Sequence, residues 1–307
     1  MVRRISANPD IRIIRGKRSH MNHTLHKASS IIFSLLVATS LFAGGQGEGE
    51  QGGDRPLRLS MGGSTTIEPI MTSAMEVYLN EIDPRAELSY DAPGSTAGIR
   101  GVMNGTYVLG AASRELLIEE KQAGVVSTTI ALDGLSVIVN DTVPLDDLGL
   151  EQVAGIFVGE ISNWKELGGP DKEIVIVNRD EASGTLGAFR EAVLEKVYGD
   201  DARFTLNALV TESNGNMATM VAQSPYSIGY ASLNVIERLE QSGGRALTVD
   251  GIENTPQTIY NGTYPISRPL NVVTFGEPGG DAQVFIDFLL SPRGQNIVRE
   301  VKYLPLR

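Results

Sequence analysis

Arg179-Asp180-Glu181-Ala182-Ser183-Gly184-Thr185 follows a short apolar run, Ile174-Val175-Ile176-Val177, and precedes an apolar-periodic stretch from Leu186 to Tyr198. That order predicts a strand, a tight turn and a helix, with Ser183, Gly184 and Thr185 at the helix N-terminus. The first backbone N–H groups of a helix lack intrahelical partners and point at whatever sits in front of them. Two hydroxyls add donors, the glycine allows close backbone approach, and Arg179 can bend back as a planar two-pronged clamp. This is equipment for holding a small tetrahedral oxyanion. Taken alone, it reads equally well as a capped helix beside a surface arginine.

Two more segments repeat the pattern. Leu57-Arg58-Leu59-Ser60 leads into Gly62-Gly63-Ser64-Thr65-Thr66 and a helical stretch from Ile67 to Leu79, where Pro69 is tolerated in the first turn. Ala86-Glu87-Leu88-Ser89-Tyr90 leads into Gly94-Ser95-Thr96-Ala97-Gly98 and then Ile99 to Met103. In an open α/β sheet such turns collect at the carboxyl edge of the strands, where ligands bind.

The chain has 307 residues, enough for two lobes. Residues 1–45 read as an export leader. The apolar block from Ile31 to Phe42, preceded by Lys27, is too short to span a bilayer, and Met21 would begin a leader of ordinary size. Residues 46–55 are a Gly/Glu-rich tail. Without the leader, 19 Lys/Arg face 36 Asp/Glu, a net charge of −17. So acidic a chain is a poor partner for nucleic acid or anionic lipid, and any anion site in it must work through local dipoles. All three histidines, His20, His23 and His26, lie in the leader, and there is no cysteine. The exported part therefore has no imidazole base, no thiolate and no His or Cys metal ligand. It also has no cysteine to carry a lipid anchor. No cofactor is implied.

From Pro56 onward, short apolar strands alternate with amphipathic helices, which predicts an α/β fold with largely parallel sheets. Strands are expected at 107–110, 128–140, 174–178, 227–231 and 270–275, and helices at 149–157, 186–198, 216–223 and 282–301. Thr128 to Asn140 is too long for one compact strand and is expected to leave one lobe and enter the other. A return near Gly229–Ser232 divides the chain into residues 56–137 plus 232–307 as lobe 1 and 138–231 as lobe 2. Trp164 reads as a structural anchor, and Met71, Met75, Met217 and Met220 as core. Asp133-Gly134 reads as a bulge or turn.

The chain resembles the periplasmic phosphate-binding proteins that feed phosphate ABC transporters. Gly63-Ser64-Thr65-Thr66, Gly94-Ser95-Thr96-Ala97-Gly98, Gly110-Ala111-Ala112-Ser113-Arg114 and Arg179…Ser183-Gly184-Thr185 stand in that family's order and spacing. Ile161-Ser162-Asn163-Trp164, Ile228-Gly229-Tyr230, Tyr264-Pro265-Ile266-Ser267-Arg268 and Phe288-Leu289-Leu290-Ser291 extend the likeness over Leu57 to Pro305. The resemblance implies the two-lobed type II periplasmic-binding fold, in which each lobe is a mostly parallel sheet flanked by helices and two crossing segments join them. It implies phosphate contacts from Thr65, Thr66, Ser95, Ser113, Arg114, Arg179, Ser183, Gly184 and Thr185. Ser64 begins the same turn as a further donor. Glu181 matches a carboxylate that pairs with the binding arginine in relatives. Longer members of the family have an aspartate at the place of Arg114, where it accepts the proton of hydrogen phosphate. Arginine cannot accept. Shorter members share Ser-Arg, and Asp91 and Glu68 are then candidate acceptors.

The expected function is capture of inorganic phosphate outside the cytoplasm by a monomer that delivers it to membrane permease subunits. The alternatives are another tetrahedral oxyanion (sulfate, molybdate or tungstate) or an exported phosphatase with Ser64 or Thr66 as nucleophile. A sensor or adhesive module on the same fold is a further one. The absence of histidine and of an evident base beside the hydroxyls weighs against the phosphatase.

Overall fold

The computed structural model of the protein describes residues 55–306, so the leader, its start at Met21 and most of the Gly/Glu tail lie outside the described residues. Arg55, expected in that tail, forms a two-pronged contact with Asp281 at 2.7 and 3.0 Å. The first elements are β1 (Arg58–Gly63), α1 (Glu68–Glu81), β2 (Glu87–Asp91), α2 (Ser95–Met103), β3 (Leu109–Ala112), α3 (Ile118–Gln122) and the long β4 (Val125–Asn140). Next come β5 (Asp147–Leu148), α4 (Leu150–Val158), β6 (Val175–Arg179), α5 (Gly184–Phe189), α6 (Lys196–Tyr198), β7 (Leu209–Thr211), α7 (Asn214–Gln223) and β8 (Ser227–Ser232). The chain ends with α8 (Ile236–Glu240), β9 (Gly244–Ala246), β10 (Thr248–Val249), α9 (Pro256–Tyr260), β11 (Ser267–Phe275), α10 (Gly280–Leu290) and α11 (Pro292–Glu300).

One sheet runs in the order β2-β1-β3-β11-β4-β8-β6-β7, with β9 added to β4. Its two flanks, β2-β1-β3 and β8-β6-β7, are parallel. Between them β11 and β4 run antiparallel. β4 makes the expected crossing: Val125 to Gly134 pair with β11, and Leu135 to Val139 pair with β8. Each flank buries its own core, as a two-lobed α/β fold requires. Met61, Ile70, Met71 and Phe285 fill the first. Phe157, Trp164, Phe189 and Tyr230 fill the second, where the Phe189 and Tyr230 rings stack with centroids 4.0 Å apart. Burying such a ring stabilises by roughly 1.5–3 kcal/mol. Trp164 is the anchor expected of it: fully buried, its indole N–H donates to the Tyr226 carbonyl at 2.8 Å. Met71 and Met217 are buried, and Met75 and Met220 pack against the cores.

Two readings change. The helix expected from Ala282 to Val301 is broken, because Pro292 cannot donate to the preceding turn and Ser291 caps a new helix by accepting from Gly294 N at 3.2 Å. The return passage also comes later than residue 232. β9 pairs with β4, β10 pairs with β5, and Leu247, Val249, Ile259, Tyr264 and Ile266 belong to the second core. The chain goes back at Ile266–Ser267, where Leu135 N donates to the Ile266 carbonyl at 2.8 Å. The run 233–266 carries no strong strand pattern, so only its packing shows which half it joins.

Candidate functional site

The carboxyl ends of β1, β3 and β6 come together, with Ser64 bonded to Ser113 and Thr65 to Arg179. Ser64 leaves β1 with its N–H on the Ala111 carbonyl of β3 at 3.0 Å, and its hydroxyl donates to Ser113 Oγ at 2.9 Å. Ser95, at the start of α2, accepts from Ser113 N at 3.1 Å and lies 3.4 Å from Ser113 Oγ. Ser64, Ser95 and Ser113 thus form a buried hydroxyl chain. From the other half, Ser183 caps α5 by accepting from Leu186 N at 3.2 Å, which leaves its own proton to give elsewhere. Gly184 and Thr185 follow in the first helical turn, where backbone N–H groups have no intrahelical partner.

The halves meet here. Thr66 Oγ1 lies 3.0 Å from Thr185 Oγ1, Arg179 Nη2 donates to Thr65 Oγ1 at 3.3 Å, and Thr96 N donates to the Ala182 carbonyl at 3.2 Å. Gly184 is a close approach that a side chain would prevent: a Cβ there would stand 2.2 Å from Ser95 Oγ. Gly94 faces it from the first half at φ +101°, with a Cβ position 2.7 Å from the Ala182 carbonyl.

Arg179 is 3% exposed. Its Nε donates to the Thr211 carbonyl at 3.2 Å and its Nη2 to the Glu212 carbonyl at 2.8 Å. The parallel register of β6 and β7 sets Thr211 beside Arg179, which puts those carbonyls in reach. Among the described residues, Nη1 has no hydrogen-bond partner. Burial lowers the Arg179 pKa, with Tyr230 and Asp180 opposing and the charge of Arg268 adding to the lowering. Behind it, Asn178 Oδ1 accepts from both Arg179 N at 2.9 Å and the Tyr230 hydroxyl at 2.5 Å, which holds the strand end in place.

Several predicted residues stand elsewhere. Arg114 is buried, but its fork closes on Glu120, with both contacts at 2.8 Å, and its Nη1 also donates to the Glu115 carbonyl at 2.9 Å. Burial pushes the Glu120 carboxyl up, yet the hydrogen bonds from Arg114 and Leu117 N and the charges of Arg114 and Arg100 leave it below the ordinary 4.5. The helix α3 that carries Glu120 is too short and polar to stand out in the sequence. Glu181 is exposed and, among the described residues, no carboxylate forms an ion pair with Arg179; the turn after Asp180 carries Glu181 outward, and backbone carbonyls hold the guanidinium instead. Glu68 and Asp91 are exposed, and Asp91 accepts from Tyr107.

Arg268, near the start of β11, belongs to the stretch Tyr264–Arg268 quoted for the resemblance but was not expected in the site. Its register partner on β4 is Asp133, and the two form a buried ion pair at 2.8 Å. Asp133 is therefore an ion-pair residue in regular strand register, with Oδ1 also accepting from Leu233 N at 3.3 Å. An uncharged environment on both sides of a strand arginine, Ile266 and Leu270, was the available signal. Among the described residues no three His, Cys, Asp or Glu side chains converge as a metal site. The arrangement can offer hydroxyl, amide and guanidinium donors to an anion. Among the described residues the Ser64 and Thr66 hydroxyls bond to Ser113 and Thr185, and no carboxylate is bonded to either.

A family model for a PBP superfamily domain matches residues 44–293. The phosphate-binding protein PstS of Borreliella burgdorferi is 34% identical over 280 residues, covering 90% of this chain and 98% of its own. PstS of Bacillus subtilis is 28% identical over 297 residues, covering 91% and 95%. A Clostridium perfringens protein, assigned as a phosphate ABC transporter substrate-binding protein and solved with bound phosphate, superposes with a TM-score of 0.75 at 36% identity. It covers 81% of this chain and 100% of its own.

Proposed function

This chain belongs to the PstS phosphate-binding proteins of the PBP superfamily, and from that premise we propose that it captures inorganic phosphate in the cleft between its halves. One observation of the site carries the reading. Arg179 Nη1 is a buried, charged donor without a partner, on a guanidinium that no described carboxylate pairs with. Leaving such a group unsatisfied costs several kcal/mol, and an anion seated against it removes that cost. Thr65, Thr66, Ser64, Ser95 and Ser113 supply donors from one half, and Ser183, Gly184 and Thr185 from the other. Arg114, spent on Glu120, shapes the wall instead of binding the anion.

An anion gripped from both sides favours the joined arrangement of the halves, since only there are all donors satisfied together. The lobes in this proposal are residues 56–134 plus 267–307 and residues 135–266, and the anion-bound surface is what permease subunits distinguish from the empty one. The protein acts as an exported monomer outside the cytoplasm. Among the described residues no helix is long and apolar enough to cross a membrane. A second reading, an oxyanion that carries no proton, is favoured by one fact. Asp133, the carboxylate bonded into the cluster, already accepts from Arg268 and Leu233 N. Calorimetric titration with phosphate, sulfate and molybdate tests both. Phosphate binding with no sulfate response is expected, and tighter sulfate or molybdate binding would replace phosphate as the ligand.

A further inference from the structure

Arg268 spreads its donors over the place where the halves meet. Nη1 reaches Thr185 Oγ1 and the Ser113 carbonyl, each at 2.9 Å, while Nη2 reaches Ser232 Oγ at 2.8 Å and Thr66 Oγ1 at 3.4 Å. Nε and Nη2 both hold Asp133 Oδ2, at 3.1 and 2.8 Å. Its side chain is 2% exposed and that of Asp133 is 0% exposed, so the pair is fixed and close to neutral. A hydroxyl has one proton and two lone pairs, and a guanidinium only donates. Arg268 therefore occupies a lone pair on Thr185, while Thr66, at 3.4 Å from an Nη2 whose two protons go to Asp133 and Ser232, receives only a shared, weaker contact. The Thr66 and Thr185 hydroxyls share one hydrogen bond with each other, which uses one of their two protons. The other proton is left for an outside acceptor.

Resting on the phosphate reading, we propose that Arg268, anchored by Asp133, is a positioning residue that makes the Thr66–Thr185 pair a proton donor to the anion. It does so without adding net charge, because Asp133 cancels its own. It also joins the two halves, since Thr66 and Ser113 come from one and Thr185 from the other. A lysine in its place keeps the charge opposite Asp133 but, as a compact point charge, cannot reach Thr185, Ser113 and Ser232 together. The geometry thus assigns the fork, not the cation, as the requirement.

A double-mutant cycle on phosphate affinity tests this, using the full chain, Arg268→Lys, Thr185→Val and the two combined, with thermal unfolding of each in the absence of anion. Each single change is expected to weaken phosphate binding about tenfold, and the combination to bind about as Thr185→Val alone, since Arg268 acts through that hydroxyl. Losses that multiply, or parental affinity in Arg268→Lys, would overturn the assignment. Should Arg268→Lys not fold, the charge-balanced Asp133→Asn/Arg268→Gln variant takes its place in the same cycle. Titrating the parent with phosphate, sulfate and molybdate separates the two readings. If it binds another of these anions, the ligand is corrected and the cycle is read with that anion. If it binds none, both readings fall.

Discussion

Arg179 ends β6 and Arg114 follows β3 by two residues, each is buried, and each has the fork that suits an oxyanion. The fold treats them oppositely. Arg179 meets only carbonyls and a hydroxyl and keeps one donor nitrogen without a partner. Arg114 is paired with Glu120. On the proposed reading, the anion site is marked by the buried cation that lacks a carboxylate, and counting arginines in motifs does not reveal it. The contrast also predicts opposite consequences for stability: removing Arg179 deletes a buried charge without a carboxylate partner, whereas removing Arg114 leaves the largely buried Glu120 carboxylate without its cation.

The largest expected effect is on Arg179. Arg179→Ala should cost on the order of 2–5 kcal/mol of phosphate affinity in calorimetry, while thermal unfolding without anion stays level or rises. Parental affinity in this variant would erase the distinction between the two arginines. Arg114→Ala should do the reverse, losing about 3 kcal/mol of folding stability at neutral pH with little change in affinity. Glu120, held below its ordinary 4.5 in the parent, contributes stability that is fully present above that value and is lost as pH falls through the lower folded value. The stability gap between parent and Arg114→Ala should therefore narrow on the acid side of pH 4.5, and a gap that stays constant would remove Glu120 from the account.

Gly184→Ala comes next. Its Cβ would meet Ser95 Oγ at 2.2 Å and Ser113 Oγ at 2.9 Å, so the halves must separate and phosphate affinity should fall about tenfold, roughly 1.4 kcal/mol. Small-angle scattering should show this variant less compact than the parent at saturating phosphate, and equal compactness would mean the clash is absorbed locally. The smallest effect is expected at Glu181. Glu181→Ala should leave affinity within about twofold, because the carbonyls of Thr211 and Glu212 already orient Arg179. A large loss there would restore Glu181 as the partner of Arg179.

Much was readable in the sequence alone. Glycine, serine and threonine after apolar runs mark strand–turn–helix joints by local chemistry, so the turns at Ser64–Thr66, Gly94–Gly98 and Ser183–Thr185 could be found in order. The length of the run ending at Asn140 exposed the crossing strand. These signals are local, because caps, turns and strand patterns involve neighbours a few residues apart. What tertiary structure alone decided is pairing across distance. Glu120 claims Arg114 through a short helix, Asp133 meets Arg268 across a strand register, and residues 244–266 stay with the second half by packing. A buried charge is settled by which opposite charge the fold brings within about 3 Å, and nothing in the spacing of residues along the chain encodes that distance.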